Sequence, residues 1–308
     1  MHANRSGAAG CPQNRVRVGE ETRPAGTVSD VILLPVPTVL EAAYLVAAPA
    51  RIPADPTALV EDRWSSLPWP DEPPPVGLRI RETGADDPAL APVLEIVCCG
   101  ECSPELEPLF PLLSGRSSHL LVTCAAPPGW PPLHLWAGSH AVDAVAAVSG
   151  GVRVDVDAAR LLPDPWRPPP LAAVGDFGVA RWIRVEASGE RDGLGLRTLG
   201  LARLGVPELR VGEPGGLGPK AGEAAWWTHV LHGLAQVLVT RLFTDVACYP
   251  GRGSRAVPAE LTVTAADIAA AEARPAGSDP SVREPVGLSL RYEVSRGGAQ
   301  RFIVGRVF

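Results

Sequence analysis

The sequence predicts an α+β protein, on three observations. Short apolar runs closed by proline or glycine recur between residues 28 and 124, with helix-start signals between them. A longer run, Glu223 to Phe243, places Trp227, Val230, Leu231, Leu234, Val237, Leu238 and Leu242 at the 3.6-residue helical period. Near the C-terminus, Leu288 to Val294 and Arg301 to Val307 flank Ser295-Arg296-Gly297-Gly298, a hairpin signature.

Residues 1–27 are rich in glycine, proline and asparagine with little periodicity, and read as a disordered leader. Strands are expected at 28–36 and 43–48. Asp55-Pro56 supplies an N-cap and a first-turn proline for a helix to about Ser66. Strands follow at 76–81 and 93–98, a helix start at Ser103-Pro104-Glu105, and another strand at 118–124. This β-α-β-β-α-β order is that of a ferredoxin-like split βαβ lobe, assigned to residues 28–170. Pro131 to Val148 reads as a helix stopped by Gly150-Gly151, and Val152 to Asp157 as a strand. Five prolines between Leu162 and Pro170 exclude regular structure there and mark the boundary with a second α+β lobe, residues 171–308. In that lobe we expect strands at 179–186, 194–199 and 261–264. The long helix, a short helix from Ala265 and the terminal hairpin complete it.

Composition narrows the function classes. The 308 residues are 46% apolar and 20% charged, which fits a globular chain and excludes collagen, coiled coil and wholesale disorder. A net charge of −6 offers no general attraction to nucleic-acid backbones or anionic lipid. The N-terminal residues lack the apolar core of a secretory signal. The most apolar stretch, Trp226 to Phe243, is broken by His229, His232, Gln236 and Arg241. These features point to a cytoplasmic protein without a membrane span. Six cysteines are too few for a disulfide scaffold, so reduced thiols are expected. Of 28 basic residues only Lys220 is a lysine, a skew that matches GC-rich bacterial coding.

The most chemical-looking segment is Cys98-Cys99-Gly100-Glu101-Cys102. A Cys-x-x-Cys pair such as Cys99 and Cys102 can hold a soft metal or exchange disulfides, and His119 could complete a metal set or serve as base to a thiol. No second paired motif accompanies it, and buried free cysteine and structural histidine are the commoner outcomes. His229 and His232, one helical turn apart, could share a metal but more simply belong to a solvated stripe. Asp155 and Asp157 share a strand face and by default alternate toward solvent. Trp226-Trp227 is bulky for a surface and, with the C-terminal hairpin, offers a homo-oligomer contact. The glycine-rich stretch 212–218 lacks the Gly-Lys-Ser/Thr ending of a phosphate loop.

Leu196 to Leu209 is the most distinctive run, Thr198-Leu199-Gly200-Leu201-Ala202-Arg203-Leu204-Gly205-Val206-Pro207-Glu208-Leu209 at its centre. Physically it reads as a corner. Thr198 caps a short helix, Gly205 takes a left-handed position, and Pro207 forces extension into Glu208. A functional reading makes Arg197, Thr198, Arg203 and Glu208 a surface for an acidic ligand or partner. The run resembles the Thr-x-Gly-Leu-x-Arg-x-Gly-x-Pro-Glu-Leu segment of an uncharacterised, largely actinobacterial family, as does His119 to Leu161 with its Gly-Gly-Val-x-Val-Asp turn. The likeness spans about the last two-thirds of the chain. The family has no established activity to carry over, and some relatives lie in loci associated with toxin–immunity conflict, which implies a role protective toward a partner. The resulting expectation is a binding or protein-interaction protein without recognisable catalytic machinery or cofactor. Its rival is a thiol-dependent or metal-binding enzyme using Cys98 to Cys102 with His119.

Overall fold

The protein is described from a computed structural model, which covers residues 31–48, 55–65, 76–84, 86–90, 93–94, 111, 113, 119–163, 177–190, 193–212, 219–220, 222–275, 282–295 and 297–307. It is a mixed α+β molecule with four α-helices among the described residues. The first half contains β1 (Val31–Pro35), β2 (Leu40–Ala47), α1 (Pro56–Ser65), β3 (Gly77–Thr83), β4 (His119–Ala126), α2 (Leu133–Ser149), β5 (Val152–Asp155) and β6 (Arg160–Leu161). The second half begins with β7 (Arg184–Glu190), β8 (Gly193–Leu199), β9 (Glu208–Val211) and α3 (Ala224–Cys248). It continues with β10 (Ser254–Pro258), β11 (Glu260–Val263), α4 (Ala265–Ala271), β12 (Val286–Val294) and β13 (Gln300–Arg306).

Local chemistry sets several boundaries. Asp55 Oδ1 accepts the N–H groups of Thr57 (3.1 Å) and Ala58 (3.0 Å), and α1 starts there with Pro56 in its first turn. At the end of α2, Gly150 adopts φ 65°, a left-handed cap that a side chain would strain. Thr264 and Asp267 form a reciprocal capping box at the start of α4.

The first sheet has the order β3-β4-β2-β5-β6, with every neighbouring pair antiparallel. α1 packs against α2, and α2 lies across β2 and β4. The strand period of two divides the burial. Tyr44, Val46, Leu120 and Val122 join the main core with α2, while Leu45, Leu121 and Val154 face a smaller cluster with Leu90, Val93 and Leu113. This corrects the start of the strand expected at 93–98; residues 95–98 lie outside the described residues. Val93 and Leu94 are helical and cover the sheet, and β3 pairs instead with β4. A short apolar run has the same composition in either role, so its period could not decide. The expected helix from Ser103 lies outside the described residues.

The second sheet has the order β11-β12-β13-β9-β8-β7, antiparallel except for the parallel pair β13–β9. α3 packs against this sheet, burying Trp227, Val230, Leu231, Leu234, Leu238 and Leu242, while Val237 is half-buried. By length and composition α3 is the one described helix apolar enough to cross a membrane, but here its apolar stripe belongs to the core. The strand expected at 179–186 begins only at Arg184. Val179 to Arg181 form a 3-10 turn whose first N–H donates to Gln236 Oε1 of α3 at 3.1 Å. β1 pairs with β10 in a separate two-stranded ribbon, so the first strand is tied to the second half of the chain. One apolar cluster runs through both halves, from Tyr44 and Val142 to Trp182, Leu204, Leu231 and Phe243.

Candidate functional site

The corner at 198–209 turns at Gly205 as expected, but Thr198 does not cap the short turn: it lies in β8, Leu201 stands at the N-cap position without a side-chain cap, and the polar groups of the corner point inward. Ala202–Leu204 form a 3-10 turn closed by Gly205 at φ 78°. Thr198, fully buried, donates its hydroxyl to Glu208 Oε2 at 2.6 Å and accepts the Leu209 N–H at 2.8 Å. Glu208 Oε1 takes the Ala202 N–H at 3.0 Å. Burial pushes the Glu208 carboxyl up to about 7, against the hydrogen bonds from Thr198 and the backbone of Ala202, Leu201 and Gly200. These bonds satisfy the donors at the start of the 3-10 turn and join β8 to β9.

Arg203 is not on a surface, which corrects that part of the binding reading. Its side chain is 1% exposed and donates to both carboxylate oxygens of Asp155, at 2.7 and 2.8 Å, and to the Trp182 carbonyl. Asp157 Oδ2 lies 3.5 Å away and the Tyr44 ring centroid 5.8 Å away. Burial opposes the Arg203 charge, but Asp155 and Asp157 hold its pKa above the ordinary guanidinium value. Asp155 is therefore no solvent-facing acid; its Oδ1 also accepts the Ala158 N–H at 3.1 Å, within the turn between β5 and β6. The group joins the first sheet to the corner of the second. Of the four expected residues, Thr198 and Glu208 meet directly and Arg203 serves this junction. Arg197 stays exposed, paired with Glu186 across β7 and β8.

The thiol and imidazole candidates divide differently. Cys98, Cys99 and Cys102 lie outside the described residues. His119 is 1% exposed, with Nε2 3.5 Å from the Leu113 carbonyl. Cys124 is free and buried, its thiol pushed up to about 12 by burial. Cys248 is disulfide-bonded, so the expectation of reduced thiols fails there. His229 and His232 both face Glu272, just beyond α4: His229 Nδ1 bonds Oε1, and His232 Nδ1 lies 3.5 Å from the same atom. Arg274 Nε meets Glu272 Oε2 at 2.7 Å. The expected solvated stripe is thus a polar clasp between α3 and the end of α4. No cluster of three or more metal-ligating side chains is present among the described residues.

A hollow of about 700 Å³ opens where the C-terminal ends of the parallel neighbours β9 and β13 meet the start of α3. Val211 and Val304 contribute apolar surface, Trp226 and Trp227 come from the first turn of α3, and Lys220 and Arg306 bring positive charge. The Trp rings meet edge to face with centroids 5.0 Å apart, and the Arg306 guanidinium lies over Trp226 at 5.1 Å. Glu223 is the acid of the lining. Its Oε2 accepts the backbone N–H of Lys220 at 3.0 Å. The size of the hollow falls in the usual range for small-molecule sites. Trp226 forms a wall of this hollow. A second opening of about 350 Å³ lies between Pro35, Pro37 and the Gly205 to Glu208 corner, whose carboxylate is already bonded.

The sequence named Trp226 and Lys220 singly but not their meeting with Arg306, more than 75 residues away in the chain. Pairing of β9 with β13 makes that meeting, and no local pattern announces it. Comparison with protein-family models, curated proteins and solved structures finds no match.

Proposed function

We propose that this is a binding protein and that its ligand occupies the hollow at the start of α3. The carrying observation is the lining: two tryptophans, two valines and two cations around about 700 Å³, with no nucleophile–base pair among its residues. Such a lining retains a ligand by apolar contact and charge without transforming it. A role in bacterial conflict, protective toward a protein partner, remains consistent with the likeness of the Thr198 to Leu209 run. On this reading the first sheet, with α1 and α2, is a ferredoxin-like split βαβ lobe. Support comes from the order β3-β4-β2-β5 and from the helices joining β2 to β3 and β4 to β5.

The test is titration with the neutral fluorescent probe N-phenyl-1-naphthylamine. Saturable binding at one site, weakened at least fivefold by Trp226→Ala with an unchanged circular dichroism spectrum, is expected. Absence of saturable binding, or binding indifferent to Trp226→Ala, refutes the assignment.

A further inference from the structure

We propose that the outer edge of β1, with the opening beside it, is a docking site for an extended, uncharged segment of a partner protein, added to the β1–β10 ribbon as a third strand. This surface lies apart from the hollow, and the proposal does not rest on the reading given there.

Backbone geometry carries the first part. β1 and β10 form a two-stranded ribbon, so β1 has one strand neighbour among the described residues. Just past its end, Val36 donates its N–H to the Gly253 carbonyl at 3.0 Å. Alternate residues of an antiparallel pair bond across the ladder. Ile32 and Leu34 therefore turn their N–H and C=O groups to β10, while Val31, Leu33 and Pro35 turn theirs to the outer edge. Proline at that position costs the ladder no donor, which is where sheets tolerate it. The edge-facing groups of Val31 and Leu33 are a template for another strand.

Side chains carry the second part. The inward face of the ribbon, Leu34, Arg255 and Val257, is buried. On the outward face Val31 is 55% and Leu33 69% exposed, with Pro35 and Ala256 exposed beside them. Val31 to Leu40 contains no charged side chain in a chain that is 20% charged, so the edge lacks the charges that keep natural edge strands single. At Pro35 the strand ends and an opening of about 350 Å³ begins, walled by Pro35, Pro37, Val206, Pro207 and Ala299. A row of backbone groups leading to an apolar opening holds an extended peptide in two ways. Ladder bonds supply affinity, and the opening selects a side chain.

Extent and charge choose the occupant. The ten residues lining the opening, with Val31, Leu33 and Val39, make thirteen, against about 20–30 a side in a stable dimer interface. That footprint suits one strand and is too small for a second copy of this chain. Glu208, the charged residue of the lining, already accepts from Thr198 and Ala202, so nothing there calls for a charged occupant.

The experiment titrates the full chain with a fluorescein-labelled, C-terminally amidated peptide, Thr-Val-Thr-Leu-Thr-Val, followed by fluorescence anisotropy. Saturable one-to-one binding is expected. Methylating every peptide nitrogen removes the ladder donors and should weaken it about tenfold or more, as should replacing valine and leucine by serine. Leu33→Asp, on an exposed side chain outside the core, should weaken it about fivefold or more with an unchanged circular dichroism spectrum. Absence of saturable binding, or binding indifferent to N-methylation or to Leu33→Asp, overturns the proposal. Sedimentation velocity is expected to show a monomer. A dimer that dissociates on Leu33→Asp would give the edge to a second copy and overturn the proposal as well.

Discussion

Replacing Arg203 by methionine removes the cation at the junction of the two sheets and leaves Asp155 in an environment where both side chains are 1% exposed. The carboxylate loses two charge-assisted hydrogen bonds of 2.7 and 2.8 Å. Among the described residues it keeps the Ala158 N–H at 3.1 Å and Arg160 Nε at 3.4 Å. The Trp182 carbonyl also loses its donor. Breaking a buried pair from one side costs about 3–5 kcal/mol, because the surviving charge loses its closest counter-charge without regaining water. Asp155→Leu alone should cost about as much, stranding the guanidinium instead. In the double variant neither charge is stranded, so the combined loss should fall short of the sum by about 2–3 kcal/mol. Urea unfolding of the four proteins, followed by tryptophan fluorescence, measures this cycle. A loss under about 1 kcal/mol for Arg203→Met, or single losses that add within about 0.5 kcal/mol, would refute the claim that this pair is a desolvated junction.

Other outcomes follow from the same contacts. Gly138→Ala should destabilise by about 1–3 kcal/mol in thermal denaturation, since a Cβ there would sit 2.6 Å from Tyr44 Cε2, a ring that is itself fully buried; an unchanged melting temperature would contradict that packing. Thr198→Val keeps the shape but strips the Glu208 carboxylate of its hydroxyl donor and the Leu209 N–H of its acceptor, with an expected loss of about 1–3 kcal/mol in urea. Burial opposes the Glu272 charge, but His229, Arg274 and His232 hold its pKa below the ordinary carboxylate value. Its contribution is therefore present above the unfolded pKa of about 4.5 and lost as pH falls through the folded one. The melting-temperature gap between the wild type and Glu272→Gln should narrow on acidification from pH 7 to 3, and a constant gap would contradict the clasp. Asp157 has the opposite sign, burial pushing it up to about 6, so the wild type loses stability as pH rises from about 4 to 6. Asp157→Asn should gain on the wild type across that interval, and a flat difference between the two melting curves would remove the shift.

Legibility differed by the range of the interactions involved. The Asp55-Pro56 start, the Gly150 stop, the left-handed Gly205 and the apolar face of α3 depend on neighbours within a few residues, and all stand where the sequence puts them. The residues at Val93 and Leu94 were ambiguous because burial beneath a sheet and burial within one select the same residues. Arg203 was misplaced for a related reason. A charged side chain on a short turn reads as exposed unless one knows that Asp155, 48 residues earlier, is waiting in the core. The histidines of α3 were identified as a polar stripe, but their partner Glu272 comes from 40 residues further on.

By itself the amino-acid order determined the mixed α+β character, the helix ends, the terminal hairpin and the corner at Gly205 to Glu208, because backbone sterics and side-chain period act locally. Tertiary structure alone decided that β4 inserts between β3 and β2, that Arg203 meets Asp155, and that β9 lies parallel to β13 to bring Arg306 beside Trp226. Each of those is a pairing between distant segments, chosen by the burial of whole faces and the pairing of backbone donors. Such a choice is a property of the assembled surfaces and leaves no periodic trace in either segment.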